Sequence, residues 1–267
     1  MLRSNTLETL CPVGEHERII KSHFDGRAVF DGTSPLFDQP LILLGFYNRC
    51  GSNLCAEYLR NTAKFSGFGE SLNADMVLDV CTKHSLTSFP DYISRHLSKR
   101  HKPGSLYGFK ASSDQTAMLL RLGIDKMFTG VKIVHIWRED TLGQAISAHI
   151  AWQTQKWTSR VEGNSTVPQY DSKYIAHFMQ EIANSHSAFS VLGSGLGIPL
   201  HQMTYEGLID RPKASVESVA AFLGADVSDW QVPEKTVLTK QADSLNEAFR
   251  AQFSQEVWET LGRTDPV

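Results

Sequence analysis

The sequence has neither a strong excess of charge nor a long apolar run. Its 267 residues include 26 Lys and Arg against 29 Asp and Glu, for a formal net charge of -3. A nucleic-acid-binding role therefore has no electrostatic support. No apolar run is long enough to span a bilayer, and residues 1–6 lack the apolar core of a signal peptide. Because we find no targeting segment, we expect a cytoplasmic protein.

Cysteine is also scarce. The four cysteines, Cys11, Cys50, Cys55 and Cys81, form no CxxC pair. Their spacing predicts neither a disulfide framework nor a zinc site, and it fits a reducing compartment. We therefore expect a protein that works without a bound metal.

The stretch around which the chain is organised lacks the lysine of a Walker A motif. Residues 41–46 are an apolar run typical of a buried strand, and an amphipathic helix is expected from Asn53 to Leu59. The loop between them contains Arg49, Cys50, Gly51, Ser52 and Asn53. Such a strand, loop and helix favour phosphate binding, because the loop amides and the helix N-terminus point at the anion. Without a lysine after Gly51, the loop is poorly suited to a magnesium nucleoside triphosphate. The alternative is a strand-to-helix turn that binds no ligand.

Further β-forming runs are expected at residues 106–110, 131–137 and 200–205, with helical segments between them. This alternation predicts an α/β fold in which helices cover both faces of a mostly parallel central sheet. We assign this domain to residues 40–267 and treat residues 1–39 as an N-terminal extension without chemistry. Residues 65–73, which are punctuated by glycine, are expected to form a loop.

Polar groups follow several of the predicted strands. In open parallel sheets, ligands bind outside the carboxyl ends of the strands. Residues 49–53, Lys110, Arg138 and Tyr205 should therefore lie along one edge, although they are far apart in the sequence. A fold without a ligand has no need for so many phosphate-type groups at one edge.

Taken in order, the motifs resemble those of the bacterial sulfotransferases that use 3′-phosphoadenosine-5′-phosphosulfate. The likeness is to the branch of trehalose sulfotransferase and of the Nod-factor and lipopolysaccharide sulfotransferases. The matching segments are Arg49–Ser52, Gly69-Glu70, Gly108-Phe109-Lys110, His135–Asp140, Gln144–Ser147, Gln153–Trp157, Tyr205–Leu208 and Lys240–Asp243. The resemblance implies a P-loop-like three-layer sandwich. It also implies transfer of a sulfuryl group to a hydroxyl of a carbohydrate or glycolipid.

The resemblance further implies a donor site. The loop from Arg49 to Asn53 would hold the phosphosulfate end of the donor. Arg138 and Ser147 match the family's binders of the 3′-phosphate, and Lys240 lies in the late basic loop that reaches the same phosphate. For Ser147 the alternative is a hydroxyl bonded to its own helix backbone.

Three further assignments rest on the resemblance. Tyr205 would lie against the adenine, unless it is simply packed in the core. Lys110 is the candidate for stabilising the leaving phosphate oxygen, unless it faces solvent. Together with Glu70 and Arg49, Lys110 makes up the set that we assign to catalysis.

The general base is the point at which the chain departs from the trehalose branch. The family's carboxylate, three residues after Glu70, is replaced by Asn73, which cannot take a proton at neutral pH. Glu70 is the nearest carboxylate, while Asp75 and His84 are weaker candidates. A loop carboxylate such as Glu70 can also cap a helix or pair with an arginine. The replacement argues against copying trehalose as the substrate.

Two readings from other classes remain at this point. A P-loop kinase or nucleotide hydrolase conflicts with the missing Walker lysine. A catalytically inactive binding module is supported a little by Asn73, but the retained phosphate-type groups argue against it.

Trp152 and Trp157 either line the acceptor pocket or pack in the core. A homodimer through the helix at residues 141–157 and a loose membrane association are left open.

Overall fold

The computed structural model describes residues 10–157, 163–234 and 244–263. The sheet is built from β1 (Leu41–Gly45), β2 (Phe65–Gly67), β3 (Leu106–Ala111), β4 (Val131–Trp137) and β5 (Leu200–Thr204). The strand order is β2-β3-β1-β4-β5, and every neighbouring pair is parallel. The predicted α/β class with a parallel central sheet is confirmed. The carboxyl ends of these strands meet at one edge of the sheet.

Helices precede, separate and follow the strands. In chain order the longer ones are α1 (Glu15–Phe24), α2 (Ser52–Asn61), α3 (Ala74–His84), α4 (Phe89–Arg100), α5 (Ser113–Arg121), α6 (Thr141–Thr154), α7 (Ser172–Leu196), α8 (Tyr205–Asp210), α9 (Pro212–Leu223) and α10 (Ser244–Thr260). Among these helices of the described residues, none combines the length and the apolar character that a membrane crossing requires.

The central strand β1 explains the three layers. Leu41 and Leu43 pack into one apolar cluster with residues of α1, α3, α4, α5 and α7. Ile42 and Leu44 pack into a second cluster with residues of α2, α8 and α9. Because side chains alternate along a strand, an uninterrupted apolar run is needed where both faces of the sheet are covered. Because β1 is the middle strand, the loop that follows it lies at the centre of the carboxyl edge.

The structure corrects two of the predicted elements. Residues 65–67, which we expected in a loop, form the edge strand β2, which pairs only with β3 among the described strands. Three residues are too few for a clear alternation of apolar and polar side chains. Tyr205 was expected at the end of the last strand, but β5 stops at Thr204 and Tyr205 begins α8. The hydroxyl of Thr204 accepts a hydrogen bond from the Gly207 amide at 3.0 Å, which caps the new helix.

The helix that we expected over residues 141–157 ends earlier. α6 stops at Thr154, and Gln155 has a positive φ of 57°. A left-handed residue directly after the last turn is a common way for a helix to terminate. Trp157 is thereby released from the helix and lies beside the loop that follows β1.

The segment before β1 packs onto the same core as the sheet. Ile20 and Phe24 of α1 are buried, as is Ala28, and all three join the cluster that contains Leu41. The division of the chain at residue 39 stays a prediction. Residues 15–28 therefore help to cover the face of the sheet to which Leu41 and Leu43 point.

Candidate functional site

A cavity of about 1060 Å³ lies along the carboxyl edge of the sheet. Its lining includes residues at the carboxyl ends of all five strands of the described sheet. Among them are these members of the predicted set: Arg49, Gly51, Ser52, Asn53, Glu70, Lys110, Arg138, Ser147 and Tyr205. The parallel topology therefore brings together groups as distant in sequence as Arg49 and Tyr205, as expected for the switch edge of an open sheet.

Other predicted residues lie elsewhere. Cys50 is fully buried and does not line the cavity. Asp75 and His84 also lie outside it, and Lys240 lies outside the described residues. Of the two tryptophans, Trp157 lines the cavity, whereas Trp152 stacks on Tyr174 with ring centroids 5.1 Å apart.

The loop after β1 depends on a glycine at position 51. Gly51 has a φ of 86°, in the left-handed region, and is followed directly by the first residue of α2. A Cβ atom at this position would also collide with the ring of Tyr205. The loop backbone and the Tyr205 ring are therefore in direct contact, and this contact joins the ends of β1 and β5.

Arg49 connects the loop to α6. Its Nε donates to Ser147 Oγ at 2.9 Å, and its Nη1 donates to the carbonyl of Trp157 at 2.6 Å. Burial lowers the pKa of the Arg49 guanidinium, and the positive charge of Arg138 lowers it further. Two like charges thus face a shared, partly buried space, which is an arrangement that an anion would stabilise.

Arg138, at the end of β4, is held among acidic and aromatic groups. It lies 3.3 Å from Asp140 and 3.7 Å from Glu206, and its guanidinium carbon is 5.5 Å from the centroid of the Tyr205 ring. These contacts fix the position of the guanidinium, which is 20% exposed and lines the cavity. An arginine held in this way suits a phosphate, since it presents two parallel donors.

Asp140 is fixed by a residue that the sequence did not point to. It caps α6 by accepting from the Gly143 amide at 2.9 Å, and both of its oxygens accept from Arg250 Nη2, at 2.7 and 2.6 Å. Burial on its own would raise the pKa of this carboxyl, but the bonds from Arg250 and Gly143 outweigh burial and the pKa lies below its usual range. Arg250 belongs to α10, and no local motif marks it as part of the site.

Lys110 is almost completely buried, with 2% of its side chain exposed. Its Nζ donates to Glu70 Oε1 at 2.6 Å and to Asn53 Oδ1 at 2.8 Å, and it lies 4.3 Å from the centroid of the Phe46 ring. The alternative that Lys110 faces solvent is therefore wrong. The ammonium is instead held between the loop after β1 and the segment after β2.

Asn73 has a structural partner. Its Oδ1 accepts from Gln115 Nε2 at 2.9 Å, and it does not cap α3 with its side chain. His16, Ser112 and Asp114 line the same end of the cavity, and sequence reasoning missed all three of them. Within the described residues, no group of three or more His, Cys, Asp or Glu side chains is placed to hold a metal ion.

A family model described as Stf0 sulphotransferase matches residues 87–256. The fold is similar to the sulfotransferase domain of the olefin synthase from Synechococcus PCC 7002, with a TM-score of 0.50 and 16% identity, over 89% of this chain and 98% of that one. It is also similar to a sulfotransferase from Alicyclobacillus acidocaldarius, with a TM-score of 0.49 and 14% identity, over 86% and 98% of the two chains. No match was found among curated proteins.

Proposed function

Since this chain belongs to the Stf0 sulphotransferase family and is a sulfotransferase enzyme, we propose that its donor is 3′-phosphoadenosine-5′-phosphosulfate and its acceptor a hydroxyl of a carbohydrate or glycolipid. The bacterial sulfotransferase resemblance is thereby confirmed at the level of the family.

The observation that carries the proposal is the meeting of Arg49, Arg138 and Ser147 in one cavity. Arg49 already donates to the Ser147 hydroxyl at 2.9 Å, and its charge is close enough to Arg138 for the two to repel. A phosphate dianion bound here would relieve the repulsion and would accept from both guanidinium groups and the hydroxyl. We assign this place to the 3′-phosphate of the donor.

The ring of Tyr205 supports a place for the adenine. It rests against the backbone of Gly51 on one side, and Arg138 lies within 5.5 Å of its centroid. An aromatic face next to a cation suits a flat, electron-rich base. We therefore assign the space beside Tyr205 to the base of the donor, with its phosphosulfate over residues 49–53.

Lys110 is the residue that we assign to the leaving group. In the proposed step, an acceptor oxygen forms a bond to sulfur while the bond from sulfur to the 5′-phosphate oxygen breaks. The negative charge that develops on that oxygen needs a donor aimed at it before the reaction starts. Lys110 Nζ is buried and held by Asn53 and Glu70, so little reorganisation would be required.

Glu70 is the residue that we assign to the proton. Its Oε1 is bonded to Lys110, and 42% of its side chain is exposed to the cavity and solvent. A carboxylate in this position could accept the proton of the acceptor hydroxyl as the new bond to sulfur forms. Product release would then give the sulfated acceptor and adenosine 3′,5′-bisphosphate.

The first experiment is a thermal-shift series with adenosine 3′,5′-bisphosphate, magnesium ATP and magnesium GTP. The bisphosphate at a hundred times its dissociation constant should stabilise the fold by about 2.7 kcal/mol. We expect the shift to be lost in Arg138→Ala and kept in Arg211→Ala, which removes an exposed arginine outside the cavity. A shift with the magnesium nucleotides alone would overturn the proposed donor.

Transfer is the second half of the test. Incubation with a sulfur-labelled donor and simple glycosides should yield a sulfated glycoside and the bisphosphate. Bisphosphate binding without any transfer to a hydroxyl compound would leave the donor site in place and overturn the proposed acceptor class.

A further inference from the structure

The strand order divides the cavity into two ends. The ends of β4 and β5 carry Arg138 and Tyr205, whereas the ends of β3 and β2 carry Lys110 and the segment with Glu70. The loop at residues 49–53 lies between them because β1 is the middle strand. If the donor occupies the first end, as proposed above, the acceptor must enter at the second end, which we call the acceptor end.

A residue from before the sheet reaches the acceptor end. His16, in the first turn of α1, lines the cavity together with Glu70, Asn73 and Asp114. Its Nδ1 accepts a hydrogen bond from the backbone amide of Ala74 at 3.2 Å. That amide is one of the unpaired donors at the start of α3, so His16 does the capping that Asn73 does not.

This bond fixes the chemistry of the ring. A nitrogen that accepts from an amide must carry a lone pair, so the neutral ring has its proton on Nε2. His16 therefore has an N–H group left to donate, and no lone pair there with which to take a proton. Its role toward a bound molecule is that of a hydrogen-bond donor, not of a general base.

The segment that carries His16 is firmly held. Glu17 is 1% exposed and binds Arg121, with both carboxylate oxygens within reach of Nε at 3.0 and 3.1 Å. Arg121 also donates to the carbonyls of Cys11 and Pro12, at 3.2 and 3.0 Å. An ion pair buried on one side and bonded to two carbonyls sets the position of this backbone.

Gly14 and Asp114 bring the same segment against α5. The backbone of Gly14 lies so close to the Asp114 carboxylate that a Cβ atom would collide with it. The Ser112 hydroxyl donates to the same carboxylate. Asp114 therefore stands in the wall of the acceptor end as a fixed hydrogen-bond acceptor, and it lines the same cavity as His16.

The charges at this end also favour one class of molecule. Glu70 and Asp114 are both carboxylates, and Lys110 is a buried cation already committed to Glu70 and Asn53. Among the cavity-lining side chains of the described residues, Lys110 is the one lysine or arginine that we place at this end, and the proposed function assigns its charge to the leaving oxygen of the donor. An acceptor with its own negative charge would therefore meet the carboxylate of Asp114 without a cation of its own. A neutral molecule with several hydroxyl groups would find both donors and acceptors.

We propose that the segment at residues 11–17 supplies His16 to the acceptor site, where His16 donates to an oxygen and Asp114 accepts from a hydroxyl of a neutral polyhydroxyl acceptor. His16 is then a specificity-determining residue supplied by a segment that precedes the sheet and lies outside the family match at residues 87–256. The inference rests on the proposed function, because the donor site defines which end remains for the acceptor.

The test compares two probes, neutral methyl α-glucoside and anionic methyl α-glucuronide, with a sulfur-labelled donor. For the wild type we expect a higher kcat/KM with the glucoside, and for Asp114→Asn a smaller preference. His16→Asn puts a carbonyl oxygen near the place of Nδ1 and removes the donor at Nε2. His16→Gln instead keeps an N–H donor near the place of Nε2 and removes the acceptor at Nδ1. His23→Asn, an exposed position on the same helix, is the matched control.

We expect His16→Asn to raise the KM for the glucoside about 2- to 12-fold, the effect of one lost hydrogen bond. His16→Gln and the control should stay near the wild-type KM, and the donor KM should stay constant in all three. An unchanged glucoside KM in His16→Asn would overturn the inference, as would an equal rise in both KM values, because that is what a purely structural role produces.

The remaining outcomes separate this inference from the function on which it rests. Preference of the wild type for the glucuronide would overturn the neutral acceptor. Binding of adenosine 3′,5′-bisphosphate without sulfation of either glycoside would overturn the acceptor end as assigned, while the donor site stands. A wild type that does not bind the bisphosphate would overturn the proposed function itself.

Discussion

The Nζ of Lys110 and the Oε1 of Glu70 are 2.6 Å apart, although 40 residues separate them in the chain. Lys110 belongs to β3, and Glu70 follows β2, the neighbouring edge strand. The pair places a cation for the leaving group next to a carboxylate for the proton. In the proposed reaction, one residue therefore acts on each side of the sulfur atom.

Replacement of Lys110 tests the leaving-group assignment. Lys110→Met keeps the length of the side chain beside the Phe46 ring and removes the charge. We expect kcat to fall about 10²- to 10³-fold, as for the loss of one electrostatic donor, and bisphosphate affinity to change much less. Lys132→Met is the control, since Lys132 is also a strand lysine and donates to the Phe222 carbonyl at 2.9 Å, away from the cavity. A Lys110→Met enzyme with normal kcat would remove Lys110 from the mechanism.

Replacement of Glu70 tests the proton assignment. Glu70→Gln keeps an oxygen for Lys110 and removes the ability to take a proton. We expect kcat to fall about 10²- to 10⁴-fold, the usual range for a general base. Asp75→Asn should behave like the wild type, because Asp75 is exposed and does not line the cavity. The reverse result for these two variants would transfer the role to Asp75.

Ser147→Ala tests the link between Arg49 and α6. The variant removes the acceptor of the 2.9 Å bond from Arg49 Nε and one proposed ligand of the donor. We expect the KM for the donor to rise about 2- to 12-fold, which corresponds to one hydrogen bond, with kcat nearly unchanged. Ser190→Ala is the control, since that hydroxyl bonds to the His186 carbonyl within its own helix. A donor KM unaffected by Ser147→Ala would mean that the hydroxyl does not contact the donor.

Gly51→Ala tests the contact between the loop and Tyr205. The alanine would have to adopt a φ near 86° and would meet the Tyr205 ring. We expect the free energy of unfolding to fall by about 1–3 kcal/mol for the backbone strain alone, and bisphosphate binding to weaken. Gly224→Ala is the matched control, because Gly224 has a φ of 88° but no atom within 4 Å of the new Cβ. Chemical denaturation of both variants would therefore isolate the contribution of the ring, and equal losses in both would mean that the ring contact is unimportant.

His135→Phe tests a pH effect built into the core. His135 stacks on Phe189. Burial lowers the pKa of His135, and the charge of the nearby His186 lowers it further, from 6.5 to about 3. Between these two values the unfolded chain binds a proton that the folded chain does not. The folded state should therefore lose stability as the pH falls from 6.5 toward about 3, by up to about 1.4 kcal/mol per pH unit.

The variant should flatten that slope, as measured by denaturant unfolding across the same range. His23→Phe replaces an exposed histidine and should leave the slope as it is in the wild type. A slope that persists in His135→Phe would assign it to other groups, of which His96 is one, since burial lowers its pKa to about 4.

Much of the architecture could be predicted from local pattern. The run at residues 41–46 is buried throughout, and the β-branched run at residues 131–137 is buried at its centre. Such runs are typical of strands that are covered on both faces. Once a parallel sheet is inferred, the meeting of Lys110, Arg138 and Tyr205 at one edge follows from topology. The roles that we assign to these residues stay predictions, tested by the variants above.

Other members of the site could not be predicted in this way. Arg250 comes from the last helix and reaches Asp140 at 2.6 Å, and His16 comes from a segment before the first strand. Neither residue follows a strand, so the rule about strand ends does not apply to them. The helix that carries His16 packs into the cluster that contains Leu41 of the sheet, whereas the helix that carries Arg250 packs through Phe249 against α6 and α7. Both placements depend on contacts between residues distant in sequence.

The sequence by itself determined the alternation of strands and helices, the small-residue loop after β1 and the family. These features are local, since each depends on the side chains within a few turns or strand positions. Only the tertiary structure decided that Lys110 is buried against Glu70, that Asn73 is bonded to Gln115, and that His16 borders the acceptor end. These contacts depend on how helices dock on the sheet, and the free energy of docking is spread over many apolar contacts that no single motif records.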